Sequence, residues 1–346
     1  MKKIILKGAI ALVGSMALAT GSMAKEKKTT LLVHHFLSSK SPAHTKFIVP
    51  WGKKLEKLSN GKIKVEVYPS MSMGGKPGEL YKQVRDGSAD IVWTVAGYTP
   101  GVFPRTEVYE LPTVHIGDAV ATNVAIRENF DLIKKDFKNI KPLLIHVHAG
   151  NALHTVDKKV TKVEDLKGLK LRTPSRVGAW HIKEMGAEPV GMPLPAFPQA
   201  LSKKAIDGGF IPFEVFPPFK FQQLTRYSAE GVNGERFGTS VFLFLMNKKK
   251  FDNLSKELQD IITNSVNMDM LKEIGKVWMD VEKPGMKMQK ESKNSEIVKI
   301  SEKEMEKFNA VGQKVVDKWI KEASAKGIDA KKLVKTAREA IVKNTK

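Results

Sequence analysis

The chain has 346 residues, of which 42% are hydrophobic and 27% are charged, and its formal net charge at pH 7 is +21. It has no cysteine, which excludes a disulfide framework, a thiolate metal site and a lipid attached through a cysteine. A chain of this length can bury an adequate core without disulfides, and it predicts about two domains.

The first 24 residues have the pattern of a cleavable secretory signal peptide. Lys2, Lys3 and Lys7 precede an apolar run at 9–18, and a small-x-small cleavage site ends at Ala24. A transmembrane anchor is the alternative, but this run is shorter than the roughly 20 apolar residues that span a bilayer. We therefore expect a periplasmic protein that is cleaved after Ala24.

The positive charge of the chain is spread out rather than clustered. Removing the predicted signal peptide lowers the formal charge from +21 to +18, because that segment contains three lysines and no acid. The remaining lysines alternate with glutamates, as around Ile300, and no block resembles a basic nucleic-acid arm. We expect solvated helix faces and no nucleic-acid partner, with a positive field that favours the capture of anions.

Strands and helices alternate in the first part of the mature chain. Strands are predicted at 30–36, 63–67, 89–93 and 143–148, with helices at 42–60 and 77–86. The β-α-β-α-β order indicates a parallel, right-handed sheet with helices on both faces. A crossing that contains Gly150 then leads into a second lobe.

The second lobe repeats the alternation and returns to the first. Strands are predicted at 169–173 and 210–215, helices at 176–186 and 195–205, and the apolar run VFLFLM at 241–246 indicates a strand buried on both faces. From Ser255 onward the chain is predicted to be helical, with breaks at Pro284-Gly285 and near Gly327.

These elements predict an α/β protein of two lobes, each a mostly parallel sheet flanked by helices, with a helical C-terminal region. Lobe I is predicted to comprise 25–149 and 237–280. Lobe II comprises 150–236 and 281–346, which includes the C-terminal helices. Two or more crossings between the lobes would form a hinge around a cleft.

Arg172 is predicted to lie where a buried strand meets that cleft. Leu169 and Leu171 alternate with Lys170 and Arg172, and the strand must end before Pro174 because proline cannot donate to a ladder. Ligands of open α/β sheets bind beyond the C-terminal ends of the strands. The planar fork of arginine matches a carboxylate. The alternative is a surface arginine paired with a nearby acid.

Three stretches of the chain resemble the extracytoplasmic solute-binding proteins of TRAP transporters, of the dicarboxylate-binding type. They are DLKGLKLRTPSRVGAWHIKEMGAEPVGMP at 165–193, ALSKKAIDGG at 200–209 and FLFLMNKKKFDNLSKELQ at 242–259. The resemblance implies a two-lobed periplasmic binding fold, a membrane permease as partner, and a ligand carboxylate gripped by Arg172. The chain has NALH at 151–154 where many members have a second arginine, and GFI at 209–211 where many have QEN. The resemblance therefore implies the role but not the ligand.

The candidate ligand contacts lie near strand ends on both sides of the predicted cleft. They are His35, Phe36, Trp93 and Tyr98 in lobe I, and Asn151, Arg172, Ser175, Trp180, Phe213 and Glu214 in lobe II. Aromatic rings can close over a ligand and exclude water, although ordinary core packing is the alternative, above all for Phe36 and Trp93. Glu214 could neutralise charge, bind a ligand ammonium or hydroxyl, or help hold a cation. A framework salt bridge is its alternative.

A histidine cluster supplies the main rival hypothesis. His146, His148 and His154 could together bind zinc and activate water, which would make the protein a periplasmic metal-dependent hydrolase. No HExxH spacing, GxSxG elbow, Walker loop or GxGxxG motif is present, which favours structural or ligand-contacting histidines over a metal site. We therefore predict a monomeric, non-catalytic protein without cofactor or metal. It captures a small organic acid, carboxylate or sulfonate, between two lobes and delivers it to a permease.

Overall fold

The computed structural model describes residues 28–345. The predicted signal peptide and its cleavage site therefore lie outside the described residues. Within this range, none of the helices combines the length and apolar character needed to cross a membrane.

The described chain folds into two β-sheets that are covered by helices. The strands are β1 (Thr29–His35), β2 (Ile63–Tyr68), β3 (Ile91–Val95), β4 (Ile140–Val147), β5 (Ala152–Thr155), β6 (Lys170–Thr173), β7 (Glu188–Gly191), β8 (Gly208–Ile211), β9 (Tyr227–Gly231), β10 (Val241–Asn247) and β11 (Glu296–Ile300). The α-helices are α1 (Val49–Leu58), α2 (Leu80–Asp86), α3 (Ala119–Glu128), α4 (Phe130–Ile133), α5 (Arg176–Glu184), α6 (Phe197–Ser202), α7 (Phe216–Phe219), α8 (Lys248–Asp252), α9 (Lys256–Ser265), α10 (Met268–Asp280), α11 (Glu282–Glu291), α12 (Glu302–Ala325) and α13 (Ala330–Asn344).

The first sheet has the strand order β2-β1-β3-β10-β4. Strand β1 pairs in parallel with β2 and β3, whereas β10 runs antiparallel to both of its neighbours, β3 and β4. Every residue of β10 is buried, as the continuous apolar run VFLFLM predicts. We call this sheet, with the helices that pack on it, lobe I.

The second sheet has the order β11-β9-β5-β8-β6-β7, and we call it, with its helices, lobe II. Only β5 runs against the other strands of this sheet within the described residues. The reversed strands β5 and β10 follow the first two crossings between the sheets, whereas β11, which follows the third crossing, runs parallel to β9. The predicted fold class, two mostly parallel sheets flanked by helices with a helical C-terminal region, is confirmed.

Three local predictions were wrong. Pro284 and Gly285 lie inside α11 instead of breaking a helix. Pro284 is tolerated there because it lies in the first turn, where backbone N–H groups have no helical partner. The short strand β11 was predicted to be helical. The strand predicted at 210–215 ends at Ile211, because Pro212 follows it, and Phe213–Val215 form a 3-10 turn.

The C-terminal helices contact both lobes. Helix α13 packs on α3 of lobe I, while α12 packs on α5 of lobe II and on α13. At Gly312 in α12, an added Cβ would lie 2.8 Å from Pro112, so the absence of a side chain lets α12 approach lobe I closely. Together, α12 and α13 therefore connect the two lobes.

Candidate ligand-binding cleft

Arg172 lies near the C-terminal end of β6 and is held by the backbone of lobe II. Its side chain is 3% exposed, and its Nε donates to the carbonyl of Met192 at 3.0 Å while an Nη donates to Phe210 at 3.3 Å. The neighbouring strand has Gly209 opposite, where an added Cβ would lie 2.7 Å from the Arg172 Cβ. Only a glycine at position 209 leaves room for the Arg172 side chain to lie against β8.

No acid neutralises Arg172 among the described residues, in which every ion pair involves other cations. Burial lowers the pKa of Arg172, and Tyr98 nearby opposes this shift, yet an arginine stays protonated in proteins. The alternative of a surface arginine paired with a nearby acid is therefore wrong. Arg172 is a buried cation without a protein counter-ion.

The guanidinium lines a cavity of about 30 Å³ between the lobes. The lining comes from both lobes and comprises Phe36, Leu37, Val95, Tyr98, His148, Asn151, Arg172, Pro174, Leu194, Ile211, Pro212, Glu214, Val215, Ser240 and Phe242. Of the ten predicted contacts, the structure brings five into this lining, namely Phe36, Tyr98, Asn151, Arg172 and Glu214. A volume of 30 Å³ holds only one or two water-sized groups.

Aromatic rings form the lobe I side of the cavity. The Phe36 ring stacks on Trp93 with centroids 5.2 Å apart, and the edge of Tyr98 meets Phe36 at 5.3 Å. Trp93 lies behind Phe36 in the core and stacks on Phe242 at 4.7 Å. The Tyr98 hydroxyl accepts a hydrogen bond from the backbone N–H of Leu194 in lobe II at 2.9 Å. This bond joins the lobes at the edge of the cavity.

Glu214 lines the same cavity as Arg172 and forms no ion pair among the described residues. Its backbone N–H donates to the Glu282 carboxylate at 2.9 Å, while its own Oε2 has no hydrogen-bond partner among the described residues. Burial, with the neighbouring Glu282, raises the pKa of Glu214 well above its usual range. The nearest framework arginine, Arg236, forms ion pairs with Glu230 and Glu282 instead. Burial therefore favours the protonated form of Glu214, and this residue forms no framework salt bridge within the described chain.

Two of the predicted contacts, Trp180 and Phe213, lie outside the lining because their side chains pack against other residues. Trp180 packs between two cations, with the Arg176 guanidinium 4.7 Å and the Lys318 ammonium 4.8 Å from its ring centroid. Phe213 is fully buried in lobe II, where its ring meets His154 edge to face at 4.9 Å. Neither residue lines the cavity that contains Arg172.

Three other predicted contacts have structural partners. His35 is buried, and its Nε2 lies 3.0 Å from Nδ1 of His44. Burial, reinforced by His44, lowers the pKa of His35 to about 3. Trp93 lies one layer behind the cavity. Ser175 caps α5 by accepting from the Gly178 N–H at 3.2 Å, and it lines a second, smaller cavity beside the first.

The three histidines of the rival hypothesis do not form a metal site. His146 accepts from the Trp93 indole N–H at 3.0 Å, His148 accepts from a backbone N–H two residues later at 2.9 Å, and His154 lies 2.8 Å from the Ser228 hydroxyl. Burial lowers the pKa of His146 and of His154 to about 3. Within the part of the chain that the structure describes, no three His, Asp or Glu side chains could hold a metal ion. The geometry gives the hydrolase hypothesis no site.

The sequence analysis missed several lining residues. His148 was considered as a metal ligand or, more generally, as a structural or ligand-contacting histidine, and Phe242 only as part of a buried strand; both line the cavity. Both flank the crossings between the lobes, since His148 follows β4 and Phe242 lies near the start of β10. Their positions next to the crossings could have identified both as lining residues, because the crossings between two lobes border the cleft.

Two contacts close the lobes together beside the cavity. The Arg176 guanidinium of lobe II contacts both carboxylate oxygens of Glu107 in lobe I, at 2.7 and 2.5 Å. At Gly97 of lobe I, an added Cβ would lie 2.5 Å from the Ser175 Cβ. The structure therefore shows the lobes in close contact.

Comparison with known proteins gives consistent matches over most of the chain. Residues 33–322 match the model of the bacterial extracellular solute-binding protein family 7. A TRAP solute-binding protein from an unidentified marine microbe, specific for aromatic acid ligands and crystallised with 3-hydroxybenzoate, is 41% identical to this chain. That match covers 92% of this chain and 99% of the other, with a TM-score of 0.89.

Two further relatives bind organic acids. A TRAP solute-binding protein from Rhodoferax ferrireducens T118, solved with copurified benzoate, is 37% identical and matches 92% of this chain and 98% of its own, with a TM-score of 0.88. The 2,3-diketo-L-gulonate-binding periplasmic protein YiaO of Escherichia coli K12 is 25% identical over 217 residues, which is 61% of this chain and 64% of YiaO.

Proposed function

Because the chain belongs to family 7 of the bacterial extracellular solute-binding proteins, the solute-binding proteins of TRAP transporters, we propose that it captures an aromatic monocarboxylate in the cleft between its lobes. Arg172 binds the carboxylate, and the loaded protein delivers it to a membrane permease. The protein works as a periplasmic monomer after cleavage behind Ala24 and performs no chemistry on its ligand.

The observation that supports this proposal is the buried cation without a counter-ion. Burying a charge costs several kcal/mol unless a partner of opposite charge repays the lost hydration. Arg172 satisfies two of its N–H groups with backbone carbonyls, which leaves part of its donor fork for an anion. A carboxylate is the anion that matches this fork in two parallel hydrogen bonds.

The walls of the cleft favour an aromatic body behind that carboxylate. Phe36 and Tyr98 offer ring faces and edges on one side, and Ile211 and Val215 are apolar on the other. Relatives that are 41% and 37% identical were solved with 3-hydroxybenzoate and benzoate. We assign ligand contact to Phe36, Tyr98, Arg172 and two polar neighbours, Asn151 and Glu214. The buried residues behind them hold these side chains in place.

Capture requires the lobes to move. The cavity of about 30 Å³ is smaller than any aromatic acid, so the ligand enters only when the lobes separate and is then enclosed by hinge closure. The moving bodies are lobe I, 25–149 and 237–280, and lobe II, 150–236 and 281–346, although α13 at the end of the second body also packs on α3 of lobe I. Support comes from the crossings that precede β5 and β10 and from the pairing of β11 in the second sheet.

Calorimetric titration with matched acids and amides tests the proposal. Benzoate should bind, whereas benzamide, which keeps the ring and lacks the charge, should bind at least a hundredfold more weakly because it leaves Arg172 unpaired. Equal affinities would show that Arg172 does not select a carboxylate. Failure of benzoate, 3-hydroxybenzoate and mandelate to bind at all would refute the assignment to aromatic acids.

A further inference from the structure

A second cavity of about 20 Å³ adjoins the arginine cavity. The two share Asn151 and Pro174 in their linings, so they are neighbouring compartments of one cleft. The second cavity is bordered by Glu110 of lobe I and by Ser175 and His181 of lobe II. Its volume is enough for one group of the size of a water molecule or a hydroxyl.

Two buried polar atoms in this lining have no hydrogen-bond partner among the described residues. They are Oε2 of Glu110 and Nε2 of His181, on side chains that are 4% and 6% exposed. The other Glu110 oxygen is satisfied, since it accepts from the Val241 N–H at 3.0 Å. Buried polar atoms in folded proteins are normally paired with protein groups or ordered water. Two unpaired ones that line one small cavity therefore mark a place for a polar group.

The charge states of the two residues define that group. Burial raises the pKa of Glu110 to about 8, and the hydrogen bond from the Val241 N–H, with a weaker influence of the nearby Ser175 hydroxyl beyond hydrogen-bond distance, only partly opposes this shift. Burial lowers the pKa of His181 to about 4. Near pH 7, Glu110 is therefore mainly a carboxylic acid that can donate, and His181 is a neutral ring whose unprotonated nitrogen can accept.

We propose that this cavity binds a hydroxyl group of the ligand whose carboxylate is held by Arg172. The ligand hydroxyl donates to His181 Nε2 and accepts from the Glu110 acid. A second carboxylate is excluded, because no lysine or arginine of the described chain lines this cavity. This inference rests on the proposed function and narrows the class of ligand. The protein selects hydroxylated aromatic monocarboxylates over unsubstituted ones.

Calorimetry with benzoate and its 2-, 3- and 4-hydroxy derivatives tests the inference. In the parent protein one hydroxylated isomer should bind about tenfold more tightly than benzoate, the effect of a well-formed hydrogen-bond pair in a dry site. His181→Phe and Glu110→Met should each reduce that ratio to about one. Glu110→Gln should keep part of it, because the amide still donates. Glu188→Met, on an exposed edge strand of lobe II, is the matched control and should keep the full ratio.

The outcomes separate this inference from the proposed function. If benzoate binds but no isomer is preferred, or if the preference survives in both His181→Phe and Glu110→Met, the hydroxyl site is wrong and the proposed function stands. If neither His181→Phe nor Glu110→Met folds, as judged by melting temperature, the preference of Glu110→Gln for the hydroxylated isomer decides. A preference lower than that of the parent supports the inference, and one equal to that of the parent would overturn it. If no aromatic acid binds the folded parent, the proposed function itself fails.

Discussion

Replacing Arg172 by alanine should abolish binding of the aromatic acid while leaving the fold intact. The substitution leaves a ligand carboxylate in a closed cleft without its cation, a loss of about 3–5 kcal/mol, or at least a hundredfold in Kd. The stability cost is smaller. Arg172 donates two hydrogen bonds to backbone carbonyls, each worth about 1 kcal/mol, so the melting temperature should fall by only a few degrees.

Calorimetric titration with benzoate measures the effect, and two further variants define its cause. Arg172→Lys should recover only part of the affinity, because an ammonium cannot reproduce the planar fork. Arg127→Ala removes an exposed arginine on α3 and should leave Kd unchanged, which controls for the loss of one positive charge. A Kd for Arg172→Ala within threefold of the parent value would remove Arg172 from the site.

Three further predictions concern closure, selectivity and pH. Arg176→Ala breaks the interlobe pair with Glu107 and should weaken binding by about fivefold to thirtyfold, or 1–2 kcal/mol, without touching the ligand; an unchanged Kd would show that the pair does not favour closure. Glu214→Gln should alter the ranking of bound acids more than the melting temperature, because an amide of similar shape replaces a carboxyl group whose charged form burial disfavours, and a lower melting temperature with the same ranking would make Glu214 a framework residue. His146 has a folded pKa of about 3 against an unfolded value of about 6.5, so its stabilising effect is complete above pH 6.5 and is lost as the pH falls toward 3. Between pH 6 and pH 4 the unfolding free energy of His146→Leu should therefore vary less steeply than that of the parent, by up to about 1.4 kcal/mol per pH unit; equal slopes in urea titrations would contradict this.

The position of Arg172 could be predicted from the sequence because local rules determine it. Alternating leucines indicate the strand, and Pro174 ends it, so the arginine must lie at the strand end. The end of α5 could be predicted from Gly186, which adopts a left-handed conformation with φ of +81°. Strand β10 followed from an uninterrupted apolar run. Each of these features depends on residues that are neighbours in the chain.

The misplaced features depend on contacts between distant residues. Trp180 lies on the correct helix, but its direction is set by the packing of α5 on α12, which supplies Lys318. Strand β11 pairs with the edge of β9, about 70 residues earlier. Its five residues include Ile297, Val298 and Ile300, but so short a segment does not separate by periodicity from the helices around it. The raised pKa of Glu214 likewise follows from its burial and from Glu282, which is distant in sequence. Patterns of local spacing carry none of this information.

A crystal structure of the mature protein with 3-hydroxybenzoate tests the role of the cleft most directly. Both carboxylate oxygens should lie about 2.7–3.0 Å from guanidinium nitrogens of Arg172, with the ring enclosed between Phe36 and Tyr98 on one side and lobe II on the other. An acid bound elsewhere on the protein, or one in the cleft whose carboxylate points away from Arg172, would contradict the proposed mode of capture.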